Sequence, residues 1–426
     1  MLANLIDSQP REYPWLVSLI RRTAQGSSVA PPKCSIQELQ DWMIQDAIKL
    51  SDLLILVEQW VWRLLAADFP IERFTLHVGT LHPQLTGFYW LWNKSDGIVD
   101  ELQVSQAGLD TDRYRRSPLA VTIEGGEFFR ARTDDPEMLQ RYPLMQDLAA
   151  EGITDYCIFP LGSGGAYYNA VSLSTRITDG FSDQNLSQVK YLLAVFGLHV
   201  ERHIAWRVAE NVTQTYLGKV AADRVLSGTI LRGAGESIRA VIWMSDLRGF
   251  TRLVDELQSE EVLVILNEYF ERVAGAVIDH GGEVLKFMGD GLLAVFPVEN
   301  FDNAEAAAAT AVQAARQAMQ AIEEYRWDSA ADAEDRKLDV SLKSGIGLHL
   351  GEVFFGNVGA PERLDFTVIG RAINEASRVE SLTKELGCSV LITEPVAKLL
   401  KVPLKSMGEF SLRGISAAIT LFAFED

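Results

Sequence analysis

Residues 283–297 read EVLKFMGDGLLAVFP, two apolar runs broken at Gly289-Asp290-Gly291. Asp-Gly is a strong tight-turn signal, so the segment is read as a hairpin of Glu283 to Met288 and Leu292 to Pro297 with Asp290 at its tip. Upstream, Ile238 to Ser245 is an apolar strand. Glu260 to Asp279 then repeats Val262, Leu266, Tyr269, Phe270, Val273 and Val277 at helical spacing until Gly281-Gly282 stops it. Downstream, an Ala-rich helix is expected over about Ala304 to Tyr325, and the acidic segment Asp328 to Asp335 as a loop. A second hairpin over about Ser341 to Asn357, turning near Gly351-Glu352, is followed by a helix from about Arg371 to Gly387. A strand, Cys388 to Thr393, and a tail alternating from Ser411 to Phe424 like an edge hairpin complete the pattern.

Strand, helix, hairpin, helix, hairpin is the order of a ferredoxin-like α+β sandwich. The whole chain has 426 residues, a length that argues for two or three domains. Hydrophobic residues make up 48% and charged residues 23%, a globular balance that excludes disordered, collagen-like and disulfide-scaffold classes. Lys and Arg number 39 against 58 Asp and Glu, and this net charge of −19 comes with no local basic patch, which disfavours nucleic acid as a partner. Cys34, Cys157 and Cys388 lie far apart with no CxxC pairing and read as reduced, mostly buried thiols, so a cytoplasmic chain is expected. The start, MLANLIDSQP, lacks the basic and apolar regions of a secretion signal. No membrane span is expected, because the best candidate, Leu50 to Phe69, carries Asp52, Glu58, Arg63 and Asp68 and reads as a soluble amphipathic helix.

Residues up to about Ser35 are expected to be loosely helical, and Ile36 to Leu65 helical. Between Phe74 and Ser174 the runs GFYWLWN, AVTIEG, DYCIFPLGSGG and YYNAVSLST predict a small mixed sheet. A long helix follows from Leu186, interrupted only by Gly197 before Gly218, and the glycine-rich stretch Tyr216 to Ile238 is the domain junction. His199 and His203 share one face of that helix at a metal-ligand spacing. Without an HExxH pattern or a nearby Cys/His cluster they read as solvated or packed.

Asp246 ends the first strand of the C-terminal half and Asp290 sits at the hairpin tip, so two carboxylates converge at one end of a sheet. Hard oxygen ligands there suit Mg²⁺ or Mn²⁺. Taken singly, Asp290 serves the turn and Asp246 caps the next helix just as well. Lys286 lies about 13 Å along the strand from Asp290, too far for a close ion pair, so it either snorkels or faces a polar ligand. Asn374 and Arg378 share a helix face and can address one phosphorylated ligand, although such a pair is ordinary on a surface. No GxxxxGK[ST] phosphate cradle is present.

The segments MSDLRGFT, KFMGDGLLAVF, DFTVIGRAINEASRVE and FSLRG, in that order, resemble the signatures of class III nucleotidyl cyclases over roughly Ser237 to Asp426. The resemblance implies a head-to-tail homodimer with active sites at the subunit interface. It implies that Asp246 and Asp290, with the backbone carbonyl of Leu247, bind two Mg²⁺ or Mn²⁺ ions per active site. Lys286 and Thr367 match the purine-reading positions, and this pairing implies ATP as substrate, where guanylyl cyclases typically carry Glu and Cys. Asn374 matches the ribose-orienting residue and Arg378 the one that stabilises charge on phosphorus. Arg413 stands where the family usually has a lysine for the terminal phosphates, a planar fork in place of a point charge. Thr367 also resembles a subgroup with some bicarbonate-responsive members, a response that one residue does not carry over.

Residues from about 50 to 205 are similar in texture to a GAF-type α/β sensor domain. Trp60, Trp62, Trp90 and Trp92 read as packing residues, and an effector, small molecule or protein, is implied without being named. The expected organisation is an N-terminal helical extension over 1–49, a GAF-like domain over 50–185, a signalling helix and linker over 186–236, and the catalytic domain over 237–426. The reading is an adenylate cyclase regulated by its N-terminal domain. The competing readings are a guanylate cyclase, a non-catalytic nucleotide-binding sensor and, last, a diguanylate cyclase, whose GG(D/E)EF signature GGEVLKFMGD lacks.

Overall fold

The computed structural model describes residues 11–82, 84–108, 111–162, 169–325, 341–412 and 418–425. They divide into two compact units, Met1–Val212 and Thr213–Asp426, a boundary within the stretch expected to hold the signalling helix and linker. The loop expected over Asp328 to Asp335, the end of the FPLGSGG turn and Arg413 lie outside the described residues.

The first unit runs β1 (Val17–Thr23), α1 (Ile36–Gln45), α2 (Leu53–Ala66), β2 (Arg73–Gly79), β3 (Leu85–Asn93), β4 (Val99–Ser105), α3 (Asp112–Arg115) and α4 (Pro118–Gly125). It continues with β5 (Phe129–Arg132), α5 (Pro136–Arg141), α6 (Pro143–Ala150), β6 (Asp155–Leu161), β7 (Asn169–Thr175) and α7 (Asp183–Leu217). Among the described residues the sheet has the order β1-β4-β3-β2-β7-β6-β5 and is antiparallel throughout, not mixed as expected. Alternation along β2 divides its faces: Phe74, Leu76 and Val78 join α1, α2 and α7 in one core with Trp60, Trp90 and Trp92. Trp60 stacks on Phe196 of α7 at 4.3 Å between ring centroids, so the tryptophans do pack. A second cluster, around Met145, Leu148, Tyr156 and Ile158, lies with α4 to α6.

Three local readings are corrected. The opening is not a helical extension: β1 pairs with β4, placing Arg21 opposite Glu101 and Arg22 opposite Asp100. Its buried side chains are Arg22, ion-paired with Asp100, and Thr23, bonded to Glu58, so apolar alternation, the usual mark of a strand, is missing. AVTIEG is helical, because Ser117 caps α4 through the Leu119 N–H and Pro118 occupies its first turn. The segment Ile36 to Leu65 is two helices, each with its own cap, Ser35 in a capping box with Glu38 and Asp52 on the Leu54 N–H.

The second unit comprises α8 (Lys219–Leu226), β8 (Gly235–Leu247), α9 (Phe250–Glu256), α10 (Ser259–Asp279), β9 (Glu283–Met288), β10 (Gly291–Pro297), α11 (Ala304–Glu323) and β11 (Ser344–Ala360). It ends with β12 (Arg363–Ile369), α12 (Arg371–Glu385), β13 (Val390–Thr393), α13 (Glu394–Ala397), β14 (Leu404–Phe410) and β15 (Ile419–Phe424). The sheet order is β14-β15-β13-β11-β8-β10-β9, with β12 paired to β11. Helices α10 and α11 cover one face through Tyr269, Val273, Val277 and the alanines of α11, while α8 and α12 pack on the other.

The expected hairpin near Gly351 does not exist. β11 is one strand of 17 residues, Gly351 pairs with Ala240 of β8, and the chain reverses only after Ala360. Gly351 serves the approach of α12 instead, since a Cβ there would stand 2.4 Å from the Cβ of Ala372. Gly345 and Gly347 leave room for the same helix, with Cβ positions 2.2 Å from Thr383 Oγ1 and 2.6 Å from the Glu380 backbone nitrogen. A turn-like cluster of glycines in sequence is thus a groove for a helix.

Candidate active site

Asp246 stands one residue before the end of β8, opposite Gly291 of β10 and Gly345 of β11. Gly289 turns the β9–β10 hairpin with φ +65°, and the carbonyl of Asp290 accepts the Leu247 N–H at 3.2 Å, which fixes the hairpin tip to the end of β8. The Asp246 carbonyl accepts from Ser344 Oγ at 2.9 Å, and the Tyr269 hydroxyl lies 3.0 Å from the same Oγ. Arg248 donates to the carbonyls of Thr383 at 3.1 Å and of Cys388, tying the loop after β8 to the end of α12.

Burial and then the Asp290 carboxylate push Asp246 up to about 6. Two carboxylates held this close carry a charge excess that a divalent cation relieves. With the Leu247 carbonyl, the donors are all hard oxygens, so the residues fit Mg²⁺ or Mn²⁺. Among the described residues no three His, Cys, Asp or Glu side chains form a cage, which leaves further coordination to backbone, solvent or substrate oxygens.

A third carboxyl overlooks the pair. Glu380 of α12 is pushed up to about 7, chiefly by burial and next by Asp246, and its Oε1 lies 2.8 Å from the Cβ position of Gly345, Asp246's strand partner. Sequence reading passed over it, although GIG at 345–347 is the signal that α12 comes close here.

Lys286 of β9 lies opposite Leu293 of β10 and forms an ion pair with Asp365 of β12, both side chains about half exposed. Thr367 is two residues further along β12, on the same face, opposite Gly356 of β11. The lysine therefore has a protein partner that spacing alone did not reveal. Asn374 and Arg378 lie on the exposed face of α12. The fold thus brings Asp246, Leu247 and Asp290 together, and sets Lys286 beside the strand that carries Thr367. No hydrogen bond or ion pair among the described residues joins these two groups or connects either to Asn374 or Arg378.

Residues 236–425 match the family described as the adenylate and guanylate cyclase catalytic domain. They are a class III cyclase domain. This cyclase domain is 35% identical over 187 residues to "Adenylate cyclase" of Anabaena cylindrica, covering 44% of this chain and 35% of that protein. It is 31% identical over 182 residues to "Adenylate cyclase 1" of Rhizobium meliloti (strain 1021), covering 42% and 26%. The chain thus spans about a third or less of the length of these curated relatives. Among solved structures, the adenylyl cyclase CyaB from P. aeruginosa matches at 26% identity over 45% of this chain and 96% of that one, with a TM-score of 0.39. Class III cyclases work with divalent metal ions, and the oxygens of Asp246, Asp290 and the Leu247 carbonyl are of a chemistry that would suit one. No helix among the described residues is long and apolar enough to cross a membrane.

The two histidines of α7 have other occupations. His199 is bonded through Nε2 to the Met43 carbonyl at 2.8 Å, and His203 lies beside Arg202 at 3.1 Å.

Proposed function

We propose that the chain is an adenylate cyclase that converts ATP to 3′,5′-cyclic AMP and pyrophosphate, at a site shared between two copies and regulated by a GAF-like N-terminal unit. The observation that carries this reading is the convergence of Asp246 and Asp290 at the end of β8, in a domain whose curated relatives include adenylate cyclases. Two Mg²⁺ or Mn²⁺ ions per site supply Lewis-acid activation of the ribose 3′-hydroxyl and charge neutralisation at the triphosphate. Asp246, Asp290 and the Leu247 carbonyl hold them. Lys286 and Thr367 read the adenine edge, Asn374 orients the ribose, Arg378 offers donors to the charge that develops on phosphorus, and Arg413 holds the terminal phosphates.

The exposed positions of Lys286, Asn374 and Arg378, none of them bonded to the Asp246–Asp290 pair, support a head-to-tail homodimer in which one protomer gives the carboxylates and its partner the remaining groups. Nucleotide entry then displaces Asp365 from Lys286.

The test is product formation by the full chain with Mn²⁺ and equal ATP and GTP, beside Asp290→Asn. Cyclic AMP that vanishes in the variant is expected. Cyclic GMP as the main product overturns the roles of Lys286 and Thr367, and no product from a dimeric, ATP-binding chain favours a non-catalytic sensor.

A further inference from the structure

The first unit holds a cavity of about 380 Å³, within the size range of small-molecule sites. Its wall is partly apolar, from Leu53, Val78, Phe88, Trp90, Ile204 and Val208, and partly charged. The charges form a chain of alternating sign. Asp52 pairs with Arg21 at 2.7 Å, Arg21 with Glu101 at 2.6 Å, and Glu101 with Arg207 at 2.6 Å. The Glu101 side chain is fully buried, so both guanidiniums are needed to hold its charge away from water.

The chain stops at Arg207. Its Cζ lies 4.5 Å from the Phe88 ring centroid and 5.8 Å from that of Trp90. Its Nη1 is buried with no hydrogen-bond partner among the described residues, and Trp90 Nε1 is in the same condition. Buried donors without acceptors are uncommon and costly, and these two belong to residues lining a cavity with room for an acceptor. His203 offers no competing charge, because burial, reinforced by Arg202, lowers it to about 4 and leaves the ring neutral. The remaining charged liner is the Glu210 carboxyl, three residues after Arg207 on α7.

The geometry points to a binding site for a small carboxylate with a ring-sized apolar body, its carboxyl group on Arg207 and its ring against Leu53, Val78 and Ile204. A carboxylate continues the alternation of charge that ends at Arg207, meets the part of the guanidinium side chain that is open to the cavity and leaves apolar walls for an apolar body. Arg207 belongs to α7, which runs on to Leu217 beyond the end of this unit, so occupancy acts on the element that leaves the unit. The site stands on the first unit alone and does not depend on the catalytic reading.

The experiment measures binding to the full chain without nucleotide, by calorimetry and thermal shift. The probes are benzoate, indole-3-carboxylate and 2-naphthoate, with benzamide as the uncharged counterpart of benzoate. At least one carboxylate is expected to bind, with benzamide at least tenfold weaker than benzoate. Arg207→Lys keeps a cation for Glu101 but loses the second nitrogen, and Ile204→Trp fills the cavity without touching a charge. Both are expected to weaken binding tenfold or more while retaining the wild-type circular dichroism spectrum. The proposal fails if none of the three carboxylates binds, if benzamide binds as well as benzoate, or if both folded variants bind like wild type, which would leave the charge chain as an anchor of α7.

Discussion

Asp246 and Glu283 show how position decides what a carboxyl group does. Near Asp290, the raised Asp246 value means that a cation must displace a proton when the pH is low. Mn²⁺ is expected to raise the melting temperature of the cyclase domain more at pH 7.5 than at pH 5, by mass action on the folded state. Differential scanning fluorimetry checks this, and an equal Mn²⁺ shift in Asp290→Asn would refute the metal role. Glu283 in β9 is pushed up to about 7 by burial, against 4.5 for an unhindered glutamate. The folded chain therefore holds an extra proton between those values, and the stability this gives is present at low pH and is lost as pH rises through about 7. Glu283→Gln is expected to flatten part of that slope and to be the more stable form at pH 8 by about 1–2 kcal/mol, allowing for partial exposure. Urea unfolding of both forms at pH 5.5 and pH 8 measures it; a variant less stable at pH 8 would contradict the argument.

Between β11 and α12 the packing is set by missing side chains. Gly347→Ala drives a Cβ to 2.8 Å from the Ala376 carbonyl oxygen and 2.6 Å from the Glu380 nitrogen, both backbone atoms that cannot rotate away. It is expected to cost about 2–3 kcal/mol as an overpacked site and to lower cyclase activity by shifting Asn374 and Arg378 together. Gly275 of α10 is the contrast: a Cβ there meets nothing within 4 Å. Gly275→Ala is expected to add about 0.5–1 kcal/mol through the unfolded state and to leave activity alone. Paired denaturation curves and initial rates decide both, and equal effects at the two glycines would show that α12 is free to move.

Across the whole molecule, α7 is the element through which the proposed regulation has to pass. Its exposed residues Tyr191, Leu198 and Val212 fall at multiples of seven with Ala205 between them, a stripe suited to a second copy of the same helix. Leu198→Glu is expected to weaken self-association tenfold or more in sedimentation experiments and to reduce activity in proportion to the dimer lost. Removing residues 1–215 is expected to change both dimerisation and turnover. A truncated chain with the activity and assembly of the full one would remove the N-terminal unit from the mechanism.

Much of the cyclase domain was legible in sequence because its signals are local. Asp-Gly between two apolar runs specifies a tip, a 3.6-residue recurrence specifies α10, and the places of Asp246, Asp290, Asn374 and Arg378 on their elements were readable, while their proposed roles rest on the resemblance to class III cyclases. Local signals failed where distant partners set the conformation. β1 is a strand because Glu101 and Asp100 receive its arginines, and Gly351 stays extended because α12 lies over it. Only the tertiary structure could pair Lys286 with Asp365, bring Glu380 to the carboxylates, or assemble the charge chain from Asp52 to Arg207, since each joins residues far apart in sequence. Sequence by itself determined which chemical groups the chain carries and on which elements. Their electrostatic state was decided by folding, because burial and neighbouring charge exist only once the elements have packed.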